Sequence, residues 1–388
     1  MTTTPREDEV AADTARATGQ GAPNAVTSDA AAAHAGETAV VGQAGGRRRK
    51  GGGGKGERAM VPPAEFTSYY GRPIIKAAPW EHDIPAYLFM GGVAAGSSLL
   101  AAGADLTNRP ALRRTGRLGS IVGLTLSMIA LVHDLGRPER FHHMLRVAKP
   151  TSPMSVGTWI LTVYGPFAGL AAVAEGRGLL PARLRDGLVG KLLGLSGRPA
   201  GLVAALTAPA VASYTAVLLT DTATPTWHAA HRHLPFVFVG SASAASGGLG
   251  MIGAPVHEAA PARRLAVGGA LLELAVEHKM EQAMGITAEP LHLGHAGHLM
   301  QASKALTVLG ALGAATVARG SRAGAVVSGA ALMAGSACLR FGVFEAGQAS
   351  AKDPKYTVVP QRERLAQGKA ERHPGGTQPA GHPEESSR

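Results

Sequence analysis

A single cysteine, Cys338, stands among 388 residues. It excludes an intramolecular disulfide and any iron–sulfur cluster held by this chain's own thiolates. Aromatic residues are scarce at 4%, and charged residues reach only 17%. The chain also lacks a glycine loop suited to phosphate, a zinc-ligand spacing and a catalytic triad pattern. Phosphate-loop chemistry, structural zinc and triad hydrolysis therefore find no footing in it.

What the chain has in quantity is apolar and small. Hydrophobic residues make up 45% and glycine contributes 52 residues, yet mean hydropathy is only +0.08 because both ends are polar. The middle holds repeated stretches of about 20 nearly uncharged residues, the length that crosses a hydrocarbon core of roughly 30 Å. Such a stretch must be helical, since lipid offers backbone groups no hydrogen-bond partner. Small residues let such helices approach closely. The expected class is an all-α polytopic membrane protein of about eight transmembrane helices.

The net charge of +11 lies largely in the tails and connectors. Basic residues beside apolar spans point to anionic lipid rather than nucleic acid. Residues 1–64, ending in a basic glycine-rich run with Arg47, Arg48 and Arg49, read as a disordered tail and not a signal peptide. Residues 351–388 read as a second tail, leaving 65–350 as the membrane domain. Spans are expected near 84–106, 117–135, 156–174, 200–220, 234–256, 263–284, 305–318 and 323–344. Loop arginines and lysines gather after the odd-numbered spans, which places those connectors inside and both tails outside by the positive-inside rule.

Polar residues near the spans are the candidates for chemistry. Asp83 and Tyr87 share one helical face and could hold a quinone headgroup, the phenol donating to a carbonyl and the carboxylate exchanging a proton. They could equally be a helix cap and an interface anchor. His82 lies beside them. His133 and Asp134 end the second span; Asp134 beside Arg137 suits a charge-assisted pair, and His133 or Asp134 suits a proton path. Tyr214 sits in the fourth span with Asp221 about two turns on, serving either a ligand or a neighbouring helix. Glu277 and His278, together with Glu273, are further proton-path candidates in the sixth. Paired mid-membrane histidines for haem do not occur on two spans, so neither haem nor metal is expected to be held by this chain.

Three motifs carry a resemblance: AYLFMGGVAAGSSLL in the first span, HDLGRPERF with KPTSPMSVGTW between the second and third, and SYTAVLLTDTATPTWH after the fourth. Together they resemble the polysulfide reductase membrane-subunit family, the NrfD-type proteins, across about residues 66–348. The resemblance implies two four-helix bundles and a role as the quinone-interacting membrane anchor of a molybdopterin oxidoreductase. It implies menaquinone or ubiquinone as cofactor, and as partners a four-cluster iron–sulfur subunit and a molybdopterin catalytic subunit, as in a formate dehydrogenase. The implied quinone site takes Asp83, Tyr87 and His82 from the first helix and Tyr214 from the fourth. Asp83 and Tyr87 stand where Asn and His are expected in this family, which alters the headgroup hydrogen bonding. The subunit would sit in the cytoplasmic membrane and need not itself be catalytic. The competing reading is a proton- or ion-translocating subunit without quinone chemistry, in which Asp134, Asp221, Glu277 and His278 carry protons.

Overall fold

The computed structural model describes residues 72–135 and 137–372. The tail read at residues 1–64, the interfacial Tyr69 and Tyr70, Gly136 and residues 373–388 lie outside the described residues, as do the side chains of Pro138 and Arg140.

Among the described residues there is no strand, and eight long helices carry the fold: α1 (Asp83–Leu106), α2 (Pro110–His133), α3 (Pro153–Glu175), α4 (Leu188–Thr220), α5 (Leu234–Gly253), α6 (Ala260–Met284), α7 (Gly294–Ala315) and α8 (Arg322–Lys352). A ninth helix, α9 (Lys355–Arg372), follows α8 within the stretch read as a tail. At 1.5 Å per residue the 24 residues of α1 extend about 36 Å, enough to cross a bilayer core. α1 to α5 and α8 have both the length and the apolar composition to span. α6 and α7 have the length, but α6 carries Glu273, Glu277, Lys279 and Glu281, and α7 opens with His295 and His298. The expected all-α polytopic membrane protein is what the chain forms.

Sequential helices pair first: α1 with α2, α3 with α4, α5 with α6 and α7 with α8. Contacts of α1 with α4 and of α2 with α3 close one four-helix bundle; those of α5 with α8 and of α6 with α7 close a second. α1 and α5 meet between them. α1 is mostly buried, whereas α2 and α3 are mostly uncovered and direct Leu118, Val122, Ile129 and Val163 outward. In a membrane those outward residues face lipid. Close approach rests on missing side chains. A Cβ on Gly248 of α5 would lie 2.6 Å from the Gly329 carbonyl oxygen of α8, so neither glycine has room for one.

Proline sets several helix starts. Pro110 and Pro153 each occupy a first-turn position, where the missing N–H costs no intrahelical bond. The two largest shifts are at helix starts. α4 begins at Leu188 rather than near 200, because Lys191, Arg198 and Pro199 disguise its first turns. α7 begins at Gly294 rather than near 305, its polar first half hiding the helix from a hydropathy reading.

Candidate functional site

One end of the first bundle gathers the start of α1, the end of α2, the connector after it, the start of α3 and the end of α4. The segment before α1 is pinned from the second bundle. Gln348 of α8 donates its amide to the Ala78 carbonyl at 3.0 Å, and Trp80 stacks on Trp227 at 5.8 Å between ring centroids. Trp227 is itself fixed by its indole N–H donating to the Val343 carbonyl at 2.8 Å. The TPTWH motif after α4 thus holds down the chain that leads into α1.

Asp83 lies in the first turn of α1, where a carboxylate is favoured by the helix dipole. Its Oδ2 is 2.7 Å from Nδ1 of His133, the last residue of α2. The imidazole is largely exposed, so this pair faces water. Asp134 follows at the α2 C-cap and accepts the Glu81 backbone N–H at 3.4 Å. Burial pushes its carboxyl above the usual carboxylate range, and the Glu81 amide opposes that rise. The neighbouring carboxylates of Asp83 and Glu81 push it further up.

Tyr87 is one turn deeper in α1 and only 1% exposed. Its own backbone carbonyl accepts a bond from Ser127 Oγ of α2 at 3.1 Å. Tyr214 of α4 is also buried, its ring lying directly against Gly157 of α3. A Cβ at position 157 would collide with that ring, and this is the physical need for glycine in SPMSVGTW. The rest of the motif folds the connector onto α3: Ser155 Oγ donates to the Val147 carbonyl at 2.8 Å, and the Trp159 indole donates to the same oxygen at 3.2 Å.

Tyr87, Tyr214 and Asp134 line one narrow cleft with a cavity volume of about 50 Å³, together with Trp80, Met144 and Leu161. Beside it an apolar groove of about 270 Å³ runs between α2 and α3, and Leu131, Leu135, Met144, Thr158 and Leu161 line both. The cleft therefore shares a wall with a groove on α2 and α3, the two most exposed helices of the first bundle.

The remaining candidates fall elsewhere. His82 turns to α8, with Nε2 3.6 Å from Glu345 and its ring stacked on Phe341. Arg137 is exposed, and among the described residues it forms no ion pair with Asp134, which spends a lone pair on the Glu81 amide instead. Asp221 is exposed at the α4 C-cap. His278 is exposed on α6 and meets Gln282, while Glu277 and Glu273 are fully buried on the opposite face. Hydropathy reading passed over Arg340 on α8 and Lys304 on α7, which share that interior with the two glutamates. The signal was present: an arginine within an apolar helix is costly in a membrane and marks a place worth inspecting.

Residues 75–257 match the family model described as polysulphide reductase, NrfD. The matched stretch runs from before α1 to just past α5 and contains every residue of the cleft and the groove. No curated protein matches the chain. The resemblance carried by the motifs is thus upheld over residues 75–257, and the chain is a multi-pass membrane protein.

Proposed function

Because residues 75–257 match the NrfD family model, whose family is one of membrane subunits of oxidoreductase complexes, we propose that the chain binds quinone or quinol in the cytoplasmic membrane. There it would exchange electrons with an iron–sulfur partner that serves a molybdopterin catalytic subunit. The observation carrying this reading is the cleft that unites Tyr87, Tyr214 and Asp134 and shares a wall with the apolar groove between α2 and α3.

The residues suit the ligand. A quinone headgroup is flat, apolar on its faces and polar at two carbonyls, and it carries electrons and protons together. Tyr87 and Tyr214 supply phenol donors within a mostly apolar lining, and Trp80 supplies an aromatic wall. Asp134 stands at the cleft, where burial raises its carboxyl above the usual carboxylate range, and a carboxyl so placed suits proton exchange with the headgroup. The water-facing Asp83–His133 pair lies next in sequence to Asp134 and suits passage of protons to and from it. The groove between α2 and α3 receives an isoprenoid tail directly from lipid.

The test is quinone-linked electron transfer in the purified complex. Tyr214→Phe combined with Asp83→Asn is expected to lower turnover on the order of 10²-fold, the usual size of a lost proton-transfer or hydrogen-bond function, with the complex still assembled. Wild-type turnover in that double variant would show the headgroup to lie elsewhere.

A further inference from the structure

The second bundle buries a group of charges that the quinone reading does not use and that lies beyond the stretch matched by the family model. Glu273 and Glu277 occupy successive turns of α6 at 0% and 1% exposure. Glu281 follows one turn nearer the end of α6 that also bears His292. From α7, Lys304 reaches Glu281 at 2.8 Å and comes within 3.6 Å of Glu277, outside hydrogen-bond reach. From α8, Arg340 is fully buried, donates to the Phe238 carbonyl of α5 at 2.9 Å and rests on the Phe238 ring. Thr307 of α7 donates to Glu273 at 3.3 Å.

Two features set this group apart from an ordinary ion-pair cluster. Its polar atoms are incompletely matched: both oxygens of Glu277, one of Glu273, and two guanidinium nitrogens of Arg340 are buried with no hydrogen-bond partner. Its charges are also unequal. Glu273, Glu277 and Glu281 supply three carboxylates, against Lys304 and Arg340 as the two fixed cations. His292, half exposed and 3.7 Å from Glu281, stands at the edge. An uncompensated charge in an apolar interior is expensive, and groups in that position take up a proton instead. One bound proton restores neutrality.

We propose that Glu277 and Glu273 form a proton-carrying site, loaded from the aqueous face at which Glu281, Lys304 and His292 are found. A proton leaves a hydronium ion in the aqueous phase and forms an O–H bond on a Glu277 oxygen. It then passes to Glu273, one turn deeper, as the first O–H bond breaks and the second forms; the electron pairs remain on the oxygens. Lys304 favours the ionised form of Glu277 and so governs release. His278 takes no part, since it lies on the exposed face. The inference does not depend on quinone binding.

The test uses the full chain in its native membranes and dicyclohexylcarbodiimide, which modifies protonated carboxyl groups in apolar surroundings. Mass spectrometry is expected to place the adduct on Glu277 or Glu273, and the adduct is expected to diminish as pH rises. Glu277→Gln combined with Glu273→Gln is expected to abolish it. Lys304→Gln is expected to move the pH profile of labelling upward by about one unit or more, since a cation within a few ångströms is lost. A purely structural cluster would show no such shift. No adduct on either glutamate in the folded protein, or an unmoved profile in Lys304→Gln at unchanged thermal stability, overturns the proposal. No readout involves quinone, so a failed quinone assignment leaves this result interpretable.

Discussion

Two charged clusters lie within the helices at opposite ends of the molecule, and they are built on different terms. In the first bundle Arg117 of α2 meets Glu175 of α3 at 3.0 Å and donates to the Gly197 carbonyl of α4 at 3.0 Å. Arg113 adds a second pair to Glu175 at 2.9 Å and one to Asp105 at 3.2 Å, and Arg198 approaches Asp105 at 3.5 Å. Each carboxylate there is met by more than one arginine. In the second bundle Glu277 meets nothing within hydrogen-bond reach, and Arg340 spends one nitrogen on a carbonyl and leaves two unmatched. Arg117 leaves only its Nε unmatched, and a buried charge held by several partners acts as a clamp between helices. One left short of partners is retained at a cost in stability, and function is the natural reason for that cost.

The contrast is broken most directly by removing an acid from each cluster. Glu175→Ala strands Arg117 in a nearly dry place and is expected to cost about 3–5 kcal/mol, measured by denaturation of the purified subunit in detergent. Glu277→Gln removes a buried carboxylate that has no hydrogen-bond partner, and stability is expected to hold or rise. Equal losses in the two variants would erase the distinction between clamp and proton site.

A second comparison sets Gly157 against Gly165, both on α3. A Cβ at Gly157 would run into the Tyr214 ring, whereas at Gly165 the nearest neighbour is Leu124 Cδ2 at 3.6 Å, an ordinary contact. Gly157→Ala is expected to cost about 1–3 kcal/mol by overpacking and to depress quinone-linked turnover by displacing Tyr214 from the cleft wall. Gly165→Ala should behave as the natural protein in both assays.

The smallest effect separates two buried tyrosines. Tyr164 Oη lies 2.8 Å from both Ser98 and Ser120 and donates to the Ala94 carbonyl at 2.8 Å, which ties α3 to α1 and α2. Tyr164→Phe is expected to lose about 1–3 kcal/mol with turnover per folded complex unchanged. Tyr214 lines the cleft instead. The same substitution there should lower turnover and leave the melting curve nearly in place.

Much of the architecture was legible because membrane crossing demands long uncharged runs, and α1, α2, α3 and α5 announce themselves that way. α7 did not, since His295, His298 and Lys304 populate its first half. These polar residues are tolerated because the helix packs beside α6 and α8. At the cleft, the family resemblance already implied one site for Tyr87 and Tyr214; local spacing could not have brought them together, because α1 and α4 meet only through tertiary packing. Asp83 and Tyr87 share a helical spacing but divide in space, one paired with His133 at the surface and the other sealed inside. The Asp134–Arg137 pair suggested by adjacency gives way to a backbone partner at Glu81, which the α2 C-cap brings within reach. Nothing in local spacing could reveal that Arg340 would share an interior with Glu273, since their helices are separated by all of α7.

α8 has a mechanical consequence. Its 31 residues form one unbroken rod of about 46 Å. Arg340 projects from it into the charged interior, and Gln348, eight residues along, grips the carbonyls of Ala78 and Trp80. Trp80 is a wall of the cleft. A lever with one arm among the glutamates and the other on the cleft wall cannot shift at one end alone, so any displacement of α8 that follows charging of the interior is delivered as a change in the cleft's shape.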